Sequence, residues 1–145
     1  MILILADAYS KWVEAIYTPN SNSAVVIDKL GMLFAQFGLP ITVVTDNGTC
    51  FISAEFETFL ACNGIKHLTS ALYHPSLNGH AECAVQLVKR GLKKITRCSI
   101  KSWLAQVFFH YRLTPQTFMG VSPSELLPGR CPKHGLDLLK PHTAE

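Results

Sequence analysis

The sequence predicts an α/β fold in which a mixed sheet has helices on both faces. Two observations predict it. Short β-branched or apolar runs alternate along the chain with longer segments whose apolar residues recur at helical spacing. The chain is also 145 residues long and 48% hydrophobic, which suits one domain with a sizeable core.

The first two predicted strands form an antiparallel hairpin. Ile2 to Ala6 is a continuous apolar run, as expected of a strand that is buried on both faces. Residues 8–11 turn, and Trp12 to Tyr17 is the partner strand. The opening apolar run is too short for a membrane span and leads directly into Asp7, so we expect neither a signal peptide nor a membrane anchor.

A helix, a strand, a second helix and a second strand are predicted next. Asn22 or Ser23 caps the first helix, which Gly38 and Pro40 end. Its buried face is predicted to consist of Val26, Leu30, Leu33, Phe34 and Phe37.

Ile41 to Thr45 is predicted to be a central buried strand that ends at Asp46. Ser53 caps the helix that follows, and Asn63-Gly64 ends it. Ile65 to Leu68 is then a strand parallel to the previous one, because a helix connects the two.

The second half of the chain is predicted to be helical. Residues 70–77 lack periodicity and form a loop, after which a long helix runs from Asn78 or Gly79 to about Arg97. Its outer face carries Glu82, Gln86, Lys89 and Lys93. Ser99 begins a further helix, and the capping box Ser122-Pro-Ser-Glu125 begins a short one.

Two carboxylates stand out by their positions in these elements. Asp46 follows a buried strand, Glu82 enters a long helix, and 35 residues separate them. The carboxyl end of a strand is a common place for a binding site, and carboxylates suit a hard cation such as Mg²⁺.

Four ordered stretches carry a resemblance to a known family. They are A-Y-S-K-W-V-E-A from Ala8, T-D-N-G from Thr45, Y-H-P-S-L-N-G-H-A-E from Tyr73, and Y-R-L-T-P from Tyr111 with G-V-S-P-S-E-L-L from Gly120. D-N-G alone is also a good hairpin turn. Together, in this order, the stretches resemble the catalytic core of integrases from retroviruses and Ty3/gypsy-type retrotransposons.

The resemblance implies a ribonuclease H-like three-layer fold over residues 1–130, followed by an irregular tail over 131–145. It also implies a DDE-type polynucleotidyl transferase that processes DNA ends and joins them to target DNA, using two Mg²⁺ or Mn²⁺ ions. The implied partners are retroelement DNA ends, target DNA and further copies of the chain in a homodimer or higher oligomer.

The same resemblance assigns roles to residues of this sequence. Asp46 and Glu82 are expected to be catalytic and to bind the metal. Tyr73 and Asn78 match positions in the loop that approaches the DNA end, and Lys89 and Lys93 are expected to contact phosphates.

Two departures from the family pattern affect the expected activity. Cys83 stands where these enzymes usually carry an arginine. The family's first catalytic aspartate lies on an earlier strand that this sequence does not show, and Asp7 is too close to Asp46 to replace it. We therefore expect an amino-terminally truncated core without the first strand, inactive as written.

Composition leaves other functions open. The alternatives are a non-catalytic DNA- or protein-binding module, a truncated gene fragment, and an unrelated small α/β hydrolase, although no nucleophile elbow or phosphate loop is present. The net charge is only +3, yet six of the 13 lysines and arginines lie between Lys89 and Lys101. Five cysteines without a C-x-x-C pair indicate a nuclear or cytoplasmic protein.

Overall fold

A computed structural model describes residues 1–69, 79–117, 119–127 and 129. In chain order its elements are β1 (Ile2–Ala6), β2 (Val13–Tyr17), α1 (Ser23–Phe37), β3 (Thr42–Thr45), α2 (Ala54–Cys62), β4 (Lys66–Thr69), α3 (Gly79–Leu92), α4 (Ile100–Leu113) and α5 (Pro123–Leu126). The predicted loop over 70–77 and the predicted tail over 131–145 lie outside the described residues.

The predicted hairpin is confirmed. Strands β1 and β2 pair antiparallel, with Ile2 opposite Tyr17 and Ala6 opposite Val13. The Asp7 N–H donates to the Trp12 carbonyl at 2.8 Å, which closes the connection. Lys11 takes a left-handed conformation there, with φ of 61°.

The second predicted strand pair is also confirmed. Strands β3 and β4 are parallel, with Thr42 opposite Lys66 and Thr45 opposite Thr69. The expectation that β3 is a buried strand starting at Ile41 is wrong. Ile41 is 88% exposed and precedes the strand, and Thr42 is exposed as well. Only the end of β3 that leads to Asp46 is buried.

The two strand pairs remain separate. Within the described ranges, β1 and β2 form one two-stranded sheet and β3 and β4 form another, with no ladder between β1 and β3. Strands β1 and β3 are therefore not hydrogen-bonded to each other.

Helices cover both faces, as the three-layer prediction requires. One apolar cluster joins Leu3 of β1 to α1, α2 and the segment before β4 through Val26, Leu30, Phe56, Leu60 and Ile65. A second cluster lies on the other face of the hairpin and joins it to α3 and α4 through Val13, Ala84, Val88, Leu104 and Phe108. Leu3 and its neighbours Ile2 and Ile4 contribute to opposite clusters, as alternate residues of a strand do.

Most helices begin at the predicted caps. The side chains of Asn22, Ser53 and Ser99 each accept a hydrogen bond from a backbone N–H three residues later. Glu125 completes the capping box of α5, since its Oε2 accepts from the Ser122 N–H at 2.8 Å. The hydrogen bonds from the backbone N–H and the side chain of Ser122 lower the pKa of the Glu125 carboxyl.

Helix α3 is shorter than predicted. It ends at Leu92, five residues before Arg97, and Lys94 N–H then bonds the Gly91 carbonyl at 2.9 Å in a turn. Lys93 is consequently not part of the helical face that carries Glu82 and Lys89. No Gly or Pro follows Leu92 to signal this end in the sequence.

Motif residues in the hairpin and α4 hold these two elements together. Arg112 donates from Nε and Nη2 to the Val13 carbonyl at 3.0 and 2.7 Å, and Nη2 lies 2.9 Å from Glu14 Oε2. Its guanidinium lies 4.4 Å from the centre of the Trp12 ring. Phe37, predicted to be buried, is instead 40% exposed, and its ring lies beside Trp12.

Candidate metal and DNA site

Asp46 lies immediately after the last paired residue of β3, and its side chain is exposed. Oδ1 accepts a hydrogen bond from the Gly48 N–H at 3.0 Å. A Cβ at Gly48 would lie 3.0 Å from that oxygen and 3.1 Å from the Phe51 ring, so glycine keeps this turn tight. Oδ2 has no hydrogen-bond partner among the residues that the structure describes.

Glu82 lies in the first turn of α3 and is also exposed. Ala84 and Val88 hold this helix against β1 through the second apolar cluster. Glu82 therefore points away from that buried stripe. An acid in the first turn also complements the helix dipole, so its position alone does not identify a metal ligand.

The donor chemistry fits a hard divalent cation. Asp46 and Glu82 offer carboxylate oxygens, which Mg²⁺ and Mn²⁺ prefer. Cys50, close to Asp46, is only 7% exposed, and burial, together with the Asp46 charge, raises the pKa of its thiol. The raised pKa disfavours the thiolate, so the exposed Asp46 carboxylate is the better-suited ligand for a hard cation.

In the part of the chain that the structure describes, no group of three His, Cys, Asp or Glu side chains could hold a metal. Asp7 instead stabilises the hairpin turn. Its Oδ2 accepts from the Ser10 N–H at 2.8 Å and from the Ser10 hydroxyl at 2.6 Å.

Sequence reasoning missed a chain of side chains that ends beside Asp46. Thr45 Oγ1 lies 2.8 Å from His67 Nε2, and His67 Nδ1 lies 2.5 Å from Glu57 Oε1. The residues come from β3, β4 and α2. The only signal in the sequence was a histidine inside a short predicted strand, which does not specify its partners.

The predicted DNA-contacting residues divide into two groups. Lys89 and Lys93 are exposed, Lys89 in the last turn of α3 and Lys93 in the turn after it. Tyr73 and Asn78 lie outside the described residues. Lys89 is seven residues from Glu82 and so lies on the same side of the helix, about 10 Å along its axis.

Comparison with protein families gives a match to the integrase core domain over residues 1–75. An uncharacterised protein of Caenorhabditis elegans is 36% identical over 143 residues, which cover 97% of this chain and 11% of that protein. The Gag-Pol polyprotein of baboon endogenous virus is 32% identical over 136 residues, which cover 90% of this chain and 8% of the polyprotein. The chain thus spans about a tenth of the length of these relatives.

Solved structures share the fold at low sequence identity. The catalytic core domain of BIV integrase matches with a TM-score of 0.73 at 21% identity, over 88% of this chain and 85% of that one. The dimeric HTLV-2 integrase catalytic core domain in complex with magnesium matches with a TM-score of 0.67 at 20% identity, over 84% of this chain and 80% of that one. A chain of the simian T-cell lymphotropic virus intasome matches with a TM-score of 0.73 at 22% identity, over 98% of this chain and 52% of that one.

These matches confirm the ribonuclease H-like fold class and the family resemblance. Among the described residues, no helix is long and apolar enough to cross a membrane. The four cysteines within the described ranges are free thiols.

Proposed function

The chain belongs to the integrase core domain family, and from this premise we propose that it is a retroelement integrase core in which Asp46 and Glu82 hold divalent metal for phosphoryl transfer on DNA. The observation that carries the proposal is the exposed Asp46 carboxylate at the carboxyl end of β3, where Oδ1 accepts a hydrogen bond from Gly48 N–H and Oδ2 has no partner among the described residues. Bound Mg²⁺ or Mn²⁺ would supply charge neutralisation and activation of an attacking hydroxyl.

The protein's own residues would position the DNA. Lys89 lies on the Glu82 side of α3, and Lys93 is exposed in the turn that follows, so both are proposed to contact backbone phosphates of the DNA. Such contacts fix the register of the DNA backbone and carry no sequence information. Target choice would therefore depend on other residues, and Tyr73 and Asn78 are proposed to approach the DNA end.

Titration with Mn²⁺ tests the metal site. Asp46→Asn and Glu82→Gln should each weaken Mn²⁺ binding at least about tenfold, because losing even an outer-shell partner of a metal ligand has that effect. Binding is measured by electron paramagnetic resonance of free Mn²⁺. The matched controls Asp28→Asn and Glu55→Gln change exposed acids elsewhere and should bind as the original chain does. Equal affinity in all five proteins would contradict the assignment.

DNA binding should depend steeply on salt, because phosphate contacts release counterions. Lys89→Ala and Lys93→Ala should each reduce the slope of log affinity against log salt by about 0.9, and should weaken binding to all sequences alike. Fluorescence anisotropy with a labelled duplex measures this. Lys29→Ala, a lysine that lies beside Asp28 on α1, is the control.

The structural alternative for Lys89 leads to a different result. A cation in the last turn of α3 also complements the helix dipole. If that were its whole role, Lys89→Ala would lower the thermal midpoint slightly and leave the salt slope unchanged.

A second candidate function is a non-catalytic module that binds DNA or a protein. The absence of a third acidic ligand among the described residues favours it. Salt-dependent DNA binding without Mn²⁺ binding at Asp46 would select this candidate. In either case we propose a nuclear or cytoplasmic protein, supported by the free thiols, that self-associates on DNA.

A further inference from the structure

A hydrogen-bonded chain of three side chains connects helix α2 to the last residue of β3. Glu57 Oε1 lies 2.5 Å from His67 Nδ1, and His67 Nε2 lies 2.8 Å from Thr45 Oγ1. The next residue after Thr45 is Asp46. The chain of contacts thus begins at an exposed carboxylate and ends beside the proposed metal ligand.

The chemistry of these groups fixes the direction of the first bond, and the charge of the imidazole sets the direction of the second. The Glu57 carboxylate can only accept, so Nδ1 of His67 carries a hydrogen and donates it. In the neutral ring, Nε2 then has a lone pair and accepts from the Thr45 hydroxyl. The ring cannot turn freely, because its side chain is only 6% exposed and packs edge-on against Phe56 at 5.4 Å between ring centres.

The position of Asp46 explains why such a connection matters. Strand β3 has four residues, and within the described ranges it is paired on one edge only, to β4. Thr45 is the last residue with a partner, opposite Thr69. A short strand held along one edge frays easily at its end, and the side-chain bond from Thr45 to His67 adds a second attachment at that point.

We propose that His67 is a positioning residue that, through Thr45, fixes the end of β3 and thereby aims the Asp46 carboxylate at the metal. The proposal rests on the metal-binding role of Asp46 proposed above. Glu57 holds the imidazole in the required tautomer, as carboxylate partners of histidines do around metal sites.

The test measures Mn²⁺ affinity and thermal stability separately in the 145-residue chain. Thr45→Val removes the hydroxyl and keeps the shape, and His67→Leu removes both ring nitrogens. Each should weaken Mn²⁺ binding about tenfold, the lower end of the range for outer-shell partners. His67→Gln, which can still bond Thr45, should bind nearly as the original chain does. Thr42→Val, an exposed position on the same strand, is the matched control.

Combining the two changes adds a second criterion. If Thr45 and His67 act through one bond, Thr45→Val with His67→Leu should bind Mn²⁺ no more weakly than either single variant, because the bond is lost only once. A purely structural role for His67 would instead lower the thermal midpoint while the affinity of the folded protein stayed the same.

The possible outcomes separate this proposal from the metal assignment. Suppose that Thr45→Val binds Mn²⁺ as tightly as Thr42→Val does, while Asp46→Asn loses Mn²⁺ binding. This result overturns the positioning role of His67 and leaves the assignment of Asp46 to the metal site unchanged. A His67→Gln chain as weak as His67→Leu also overturns it. Unchanged affinity in Asp46→Asn overturns both proposals. If His67→Leu does not fold, Thr45→Val and His67→Gln decide.

Discussion

Replacing Gly91 with alanine should lower the free energy of unfolding by about 3 kcal/mol, at the upper end of the cost of overpacking. A Cβ at this position would lie 1.8 Å from Cζ2 and 2.3 Å from Cη2 of Trp103. Gly91 is in the last turn of α3, and Trp103 is on α4, so the two helices must separate or the indole must leave its site. Thermal unfolding followed by circular dichroism should show a midpoint lower by roughly 10 °C.

Two further variants isolate the cause of this loss. Gly31→Ala is the matched control, because Gly31 is also in a helix interior but has nothing within 4 Å of the added Cβ. It should stabilise the protein by about 0.5–1 kcal/mol through helix propensity. In a Trp103→Leu background, Gly91→Ala should lower the free energy of unfolding much less, because the indole that the added Cβ would meet is gone. A Gly91→Ala protein as stable as the original would contradict the packing of α3 on α4.

We propose that the 145-residue chain by itself joins DNA strands poorly. Two ions held about 4 Å apart would repel each other strongly and would need a shared carboxylate between them, whereas among the described residues no group of three His, Cys, Asp or Glu side chains could hold a metal. In a Mn²⁺-dependent strand-transfer assay we expect a deficit of about three orders of magnitude or more, as when a member of a catalytic set is removed. A version with an added apolar strand that ends in aspartate should give product.

The added strand could pair with the edges of β1 and β3, because these two strands belong to separate sheets. Strands β1 and β3 lie under the same helices α1 and α2, yet they are not hydrogen-bonded to each other. We propose that the added strand pairs between them, which would place its terminal aspartate beside the carboxyl end of β3. Strand transfer by the 145-residue chain that Asp7→Asn abolishes would contradict this view, because Asp7 would then be the third ligand.

Local sequence signals were sufficient for much of the fold. Ser53 and Asn63-Gly64 bound α2 because a cap needs only a side-chain oxygen and a nearby N–H, and because Gly64 readily takes the φ of 68° found there. The hairpin likewise follows from two short apolar runs, Ile2 to Ala6 and Trp12 to Tyr17, that a short turn connects. These features depend on neighbours a few positions away, so the sequence contains them directly.

Other features depend on tertiary contacts that no local pattern encodes. The end of α3 at Leu92 coincides with the contact between Gly91 and Trp103, which are on different helices. The role of His67 depends on which face of β4 meets α2, and a shift of one residue in a strand reverses its faces. The predicted strand, Ile65 to Leu68, and the observed strand, Lys66–Thr69, differ by one residue at each end, and neither pattern shows which face meets α2.

The same distinction applies to the candidate site. Asp46 and Glu82 could be proposed from the sequence because each lies at the end of an element whose position the sequence predicts. The residues that hold Asp46 in place, His67 and Thr45, were not found, because their spacing of 22 residues has no chemical motif. Supporting residues of this kind become visible only when the strands are paired.

Crystals of the 145-residue chain soaked in Mn²⁺ test the Asp46–Glu82 site most directly, since anomalous scattering locates the ion without reference to activity. One strong peak is expected, with a carboxylate oxygen of Asp46 and one of Glu82 each about 2.1 Å away. Manganese bound elsewhere, or carboxyl groups more than about 10 Å apart and thus too distant to serve one two-metal site, would contradict it.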